Sequence, residues 1–251
     1  MRFGLCTDVR NIGEVAALGF DYLEAKLNQV ALLEEAEFEA ICREVEKAPI
    51  RVERCCLLLP KSMSVIGASY DEEALTAYLE TAFSRMKRLG ADLVVFGSGK
   101  SRAFGPELSY QEAFTQLVGV TRLIGEVAAR HGVTIAIEPL NRKETNLINT
   151  LGEGAALQAA VNLPNVGLLA DAYHLRSECE PLSRIGETAP LMHTHIALLE
   201  GRRYPTEASD EVAEFFASLK AASYDGTMSI EGSSDDYQGD GKKALAVLRS
   251  M

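Results

Sequence analysis

The sequence predicts an α/β fold, a (β/α)8 TIM barrel in a single domain over residues 1–251, and three observations carry that prediction. Eight apolar runs of strand length recur along the chain, and amphipathic segments of helical period lie between them. No Pro/Gly/Ser linker or shift in composition divides the series. Eight strand–helix units in roughly 250 residues match the count and length of that barrel.

The elements follow in order. "RFGLC" is the first strand and "YLEAKL" the second, and "EEAEFEAICREVEKA" (Glu34 to Ala48) is the helix that follows. "VERCCLLL" is the third strand, and its lack of polar/apolar alternation suits a parallel strand buried on both faces. Asp71 to Gly90 is the next helix, opening near a capping residue and stopping at glycine. "LVVFG" and the helix Ser109 to Gly132 repeat the pattern, and "TIAIE", "VGLLAD", "LMHTHIAL" and "TMSIE" complete the eight strands. The competing doubly wound sheet usually carries a glycine-rich phosphate turn after an early strand. Here the turn after strand one, "CTDVRN", has no glycine, and "GSG" at Gly97 to Gly99 reads as a simple βα turn.

Composition excludes several function classes. The chain is 47% hydrophobic, carries a net charge of −11, and scatters its basic residues, so no cationic stripe is available to neutralise a nucleic-acid backbone. No segment approaches the 18 or so continuous apolar residues of a membrane span, and "MRFGLCTD" is too short and polar for a signal core. A soluble, cytoplasmic protein that binds neither nucleic acid nor membrane is expected. Five cysteines, an odd number without CxxC spacing, suit free and mostly buried thiols in a reducing compartment.

In a barrel of this kind the active site lies at the C-terminal ends of the strands. Strand five ends at Glu138, strand six at Asp171 with His174 three residues on, and strand eight at Glu231. Strand seven carries His193 and His195, which share parity and point to the same side. Four consecutive strands thus deliver Glu, Asp, His and Glu to one arc of the rim. Three carboxylates and an imidazole would repel and raise one another's pKa values without a cation. A divalent metal ion resolves this, and the oxygen-rich set favours Mn2+, Mg2+ or Co2+, with Zn2+ admitted by the imidazole.

At these residues the chain resembles the xylose isomerase-like sugar phosphate isomerase/epimerase superfamily, through "IEPLNR" (Ile137 to Arg142), "DAYH" (Asp171 to His174), "HTHI" (His193 to Ile196) and "SIEG" (Ser229 to Gly232). "LGFDYLEAKL" (Leu18 to Leu27) is also similar, so the likeness runs through essentially the whole chain. By these motifs it is most similar to the ketose 3-epimerases and hydroxypyruvate isomerases. The resemblance implies one divalent metal ion, with Mn2+ foremost, held by Glu138, Asp171, His195 and Glu231. It implies that His174 and an arginine after strand seven hold substrate oxygens. Related proteins are often dimers or tetramers, which makes a homo-oligomer an expectation here too. The family pattern HxHxGExxRxxP departs at "HTHIALLEGRRYP": the glycine–glutamate pair is absent, Arg202 keeps the spacing to Pro205, and Arg203 is the alternative. His193 is expected at the substrate or just behind the site, with a buried barrel residue as the other reading.

The expected activity is that of an isomerase. A metal chelated by a sugar carbonyl and its neighbouring hydroxyl acidifies the C–H between them and stabilises the resulting enediolate. Glu138 and Glu231 then act as the acid/base pair on a ketose or small keto acid. Two alternatives share the framework. A keto-inositol (inosose) dehydratase would lose water after the same proton abstraction. An apurinic/apyrimidinic endonuclease-like hydrolase needs further histidine ligands from strands three and four, which here end in "LLLP" and "FGSG". Lys26, Lys100, Arg102 and Arg142 are expected as solvated loop charges, and no chemistry is assigned to His131.

Overall fold

The computed structural model describes residues 1–188 and 190–251. Among them, eight parallel strands close into a barrel in which each strand pairs with the next in the chain and the last returns to the first. They are β1 (Arg2–Thr7), β2 (Tyr22–Lys26), β3 (Arg51–Cys56), β4 (Leu93–Phe96), β5 (Thr134–Ile137), β6 (Val166–Asp171), β7 (Leu191–Ile196) and β8 (Thr227–Ile230). The fold class is the one expected from the sequence.

Local chemistry sets the helix limits. Asp71 accepts from the Ala74 N–H ahead of the helix Glu72–Leu89, and Gly90 ends it at φ 99°. Ser109 and Glu112 form a reciprocal capping box for Tyr110–Arg130. Both helices start one residue later than the expected ranges, because a cap residue has extended rather than helical torsions. A larger difference lies in the third strand, which stops at Cys56 rather than running through the leucines. Leu57 takes φ +54° and is 37% exposed, so this segment leaves the ladder and turns to the barrel mouth.

Two packed layers hold the barrel together. Outside, strand residues such as Leu5, Leu23 and Phe96 pack against helix residues such as Phe38, Phe83 and Phe215. Inside, Cys6, Cys56, Leu93, Val95, Ala136 and Leu169 fill the lumen. Nearer the closed end, the Tyr22 hydroxyl bonds Ser229 at 2.9 Å. Gly4 makes this arrangement fit, since a Cβ there would lie 2.2 Å from the Tyr22 ring. Among the described residues, no helix is long and apolar enough to cross a membrane.

Candidate active site at the barrel mouth

The last backbone bonds of the ladder fix two carboxylates at the rim. Glu138 and Glu231 each lie one residue past their strand, yet their N–H groups still donate to Phe96 and Ile196 carbonyls, both at 3.2 Å. Pro139 follows Glu138 and cannot donate to a continuing ladder, which helps turn the chain away there. Asp171 ends β6, where it lies opposite His195 of β7 and caps the short helix Ala172–Ser177 through the Tyr173 N–H at 2.7 Å. Gly97 leaves room for this cluster, because a Cβ there would meet Glu138 Oε2 at 2.2 Å. The "GSG" turn therefore serves a carboxylate.

Glu138, Asp171, His195 and Glu231 each offer one donor atom, and these four atoms all lie within 4.8 Å of one another. His195 Nδ1 stands 3.3 Å from Glu138 and 3.2 Å from Glu231. On its far side, His195 Nε2 bonds Glu24 at 3.0 Å. A carboxylate beyond a histidine keeps the proton on the distal nitrogen and leaves the proximal lone pair for a metal ion. This donor set fits a divalent cation: three anionic oxygens and one oriented imidazole nitrogen converge from four successive strands.

The electrostatics are correspondingly uneven. Burial pushes the Glu138 carboxyl up, and the neighbouring Glu231 charge adds to it, against an opposing hydrogen bond from His195. Burial opposes ionisation of Glu231 too, but His195 and Arg202 outweigh it and its pKa falls to about 2. For His195, burial disfavours the charge, while Glu24 and Glu231 together hold its pKa well above the usual value. Arg202 is held charged against its own burial by Glu231 and Asp171.

Arg202 reaches the site through a strained turn, at φ +50° beside Gly201 at φ +66°. Its guanidinium bonds Glu231 at 2.6 Å, lies 3.4 Å from Asp171, and covers the Tyr173 ring at 4.8 Å. Arg203 turns outward to Asp235 at 2.5 Å, so of the two candidates only Arg202 enters the site. His174 also faces it. Its Nδ1 accepts from the Asn141 backbone N–H at 3.1 Å, which places the proton on Nε2. Among the described residues that buried Nε2 has no hydrogen-bond partner, the Asp171 carboxylate standing 3.7 Å away. A cavity of about 330 Å3 opens here, touched by Glu138, His174, Arg202 and Glu231, with Leu57 and Leu140 as apolar wall.

The structure does not bring His193 to this cavity. Its ring is fully buried behind His195, with Nε2 on Glu24 at 2.8 Å and Nδ1 on the Thr227 hydroxyl at 2.8 Å. Both nitrogens are engaged, and burial lowers its pKa. Arg102 is not a solvated loop charge: it is fully buried and donates to the carbonyls of Phe96, Glu138 and Ile148. Arg142 pairs outward with Glu178, and His131 pairs with Glu80 at 2.6 Å at its helix end.

Two residues of the site escape the sequence reading. Glu24 binds both His193 and His195 from the middle of β2, and the signal for it is an acid inside an apolar run. Glu144 borders the cavity and lies 3.5 Å from Arg202 and 3.2 Å from the Asn141 amide. Nothing in its loop distinguishes it from the adjacent charges of "NRKE".

Comparison with known proteins bears on this geometry. A family model described as xylose isomerase-like TIM barrel matches residues 12–251. The chain is 28% identical over 188 residues to a probable ketose 3-epimerase of Synechocystis sp., covering 70% of this chain and 62% of that protein. It is 27% identical over 229 residues to a D-psicose 3-epimerase of Agrobacterium fabrum, covering 88% and 77%. Across four curated relatives it matches, the chain spans 42% to 62% of their length. The crystal structure of a D-psicose 3-epimerase in the presence of D-fructose superposes with a TM-score of 0.85 at 21% identity, covering 100% of this chain and 99% of that one. A protein crystallised with a binding zinc atom, IolI, gives 0.75 at 15% identity over 100% and 96%. At these identities the superpositions speak to the fold alone.

Proposed function

This chain belongs to the xylose isomerase-like TIM barrel family, and from that premise we propose that it is a metal-dependent epimerase or isomerase that moves a proton beside the carbonyl of a ketose or small keto-sugar. One observation carries the reading: Glu138 and Glu231, from strands separated by two others, flank a single imidazole nitrogen at the floor of an open cavity. Its relatives include a ketose 3-epimerase and a D-psicose 3-epimerase, which supports a sugar substrate.

Glu138, Asp171, His195 and Glu231 would hold one divalent ion, Mn2+ foremost given the oxygen-rich donors. When bound, that ion supplies the electron withdrawal that acidifies a C–H beside a carbonyl and stabilises the charge left behind. The remaining work falls to the protein. One of the two glutamates takes the proton and the other returns it, giving epimerisation where the faces differ and isomerisation where the carbons differ. His174 donates Nε2–H to a substrate oxygen, and Arg202 offers its guanidinium to another while helping His195 keep Glu231 ionised. Leu57 and Leu140 cover an apolar edge of the substrate.

The test is incubation with Mn2+ and a panel of ketoses, hydroxypyruvate and keto-inositols in D2O, read by NMR. Deuterium incorporated at the carbon beside the carbonyl is the expected result. Loss of water would move the assignment to the dehydratase, and absence of exchange in every substrate would refute the proposal.

A further inference from the structure

The lumen beneath the oxygen-rich cluster holds donors of a different kind. Cys6 near the end of β1 and Cys56 at the end of β3 both point inward, as free thiols in the lumen layer. One donor atom each from Cys6, Cys56 and Glu231 lie within 4.8 Å of one another. Cys6 Sγ also stands 3.9 Å from His195 Nε2, on the face of the imidazole turned away from the rim cluster. A tetrahedral ion with metal–sulfur bonds of about 2.3 Å holds its donors about 3.8 Å apart, so this triad needs only small side-chain shifts to close around one.

We propose that Cys6 and Cys56, with Glu231 as third donor, form a second metal position inside the barrel that takes a thiophilic divalent ion such as Zn2+ or Cd2+. Ligand softness separates the two positions. Thiolates select the softer ions, whereas the rim set of three carboxylates and one imidazole suits the harder ones. Each thiol gives its proton to solvent as the ion enters. Glu231 belongs to both donor sets, so the positions compete for it, and an ion in the lumen draws this carboxylate away from the cavity. Loss of turnover under soft ions rests on the proposed function, whereas the site rests on the geometry of Cys6, Cys56 and Glu231.

Cd2+ titration of Cys179→Ser protein, which lacks the exposed thiol, tests this through the ultraviolet thiolate-to-cadmium charge-transfer band. The band should saturate at one ion per chain, vanish in Cys6→Ser and in Cys56→Ser, and persist in Cys55→Ser. Mn2+ binding measured by EPR on the same variants shows that the rim cluster is still formed. Should a serine variant fail to fold, cadmium NMR of the Cys179→Ser protein gives the answer without it, since sulfur-ligated cadmium resonates apart from cadmium held by oxygen and nitrogen. No band, a band that survives both lumen substitutions, or a resonance of the oxygen and nitrogen type overturns the proposal.

Discussion

The two ends of the barrel use similar polar residues in opposite ways. Toward the closed end, groups are matched: the Tyr22 hydroxyl meets Ser229 at 2.9 Å, and Arg54 meets Asp92 at 2.5 Å and the Thr227 hydroxyl at 3.3 Å. At the open end, three carboxylates share His195 and Arg202, and among the described residues a buried His174 nitrogen has no hydrogen-bond partner. Matched groups contribute to stability, roughly 0.5–1.5 kcal/mol for an ordinary hydrogen bond. Unmatched ones repel until a ligand supplies what is missing, so the mouth is where binding energy can be gained. Substitutions at the two ends should therefore separate activity from stability.

The largest effect is expected at the mouth. Glu138→Gln and Glu231→Gln should each lower solvent-deuterium exchange by about 10²–10⁴-fold, while circular dichroism still reports a folded barrel. Equal exchange in either variant would remove that carboxylate from the chemistry.

Glu24→Gln probes the join between the two ends. The amide still bonds the histidines but loses the charge that orients His195, so Mn2+ affinity should fall about 10–100-fold, as read by calorimetric titration. Unchanged affinity would make Glu24 a packing residue.

Such a residue is hard to find in sequence, and the reason is physical. Glu138, Asp171 and Glu231 are legible because each closes an apolar run, where a strand meets solvent and an acid stands out. Glu24 sits within its run, flanked by Leu23 and Ala25, and only the closed barrel, which sets β2 across the lumen from the imidazoles of β7, reveals its partners. The choice between Arg202 and Arg203 depended on a backbone turn at φ +50°, which the R-x-x-P spacing does not encode. Arg102 misled because its charge is compensated by three main-chain carbonyls, which no side-chain pattern announces. The barrel itself was legible because eight strand–helix units leave few other closed arrangements.

Two smaller effects sharpen the contrast. Saturating Mn2+, at 100 times its Kd, should raise stability by about 2.7 kcal/mol, seen as a higher Tm in calorimetry, and the gain should disappear in Asp171→Asn. Tyr22→Phe, which removes one matched bond toward the closed end, should cost about 1 kcal/mol in urea denaturation and leave exchange kinetics unchanged. A large loss of activity in Tyr22→Phe would deny that the two ends are functionally separate.

On this reading one cation would be held jointly by side chains from four successive strand ends. Anomalous diffraction at the manganese edge from Mn2+-soaked crystals tests it most directly. A single strong peak is expected within bonding distance of Glu138, Asp171, His195 and Glu231, and a map with no peak among those four residues, or with its only peak elsewhere, would mean that they hold no such ion.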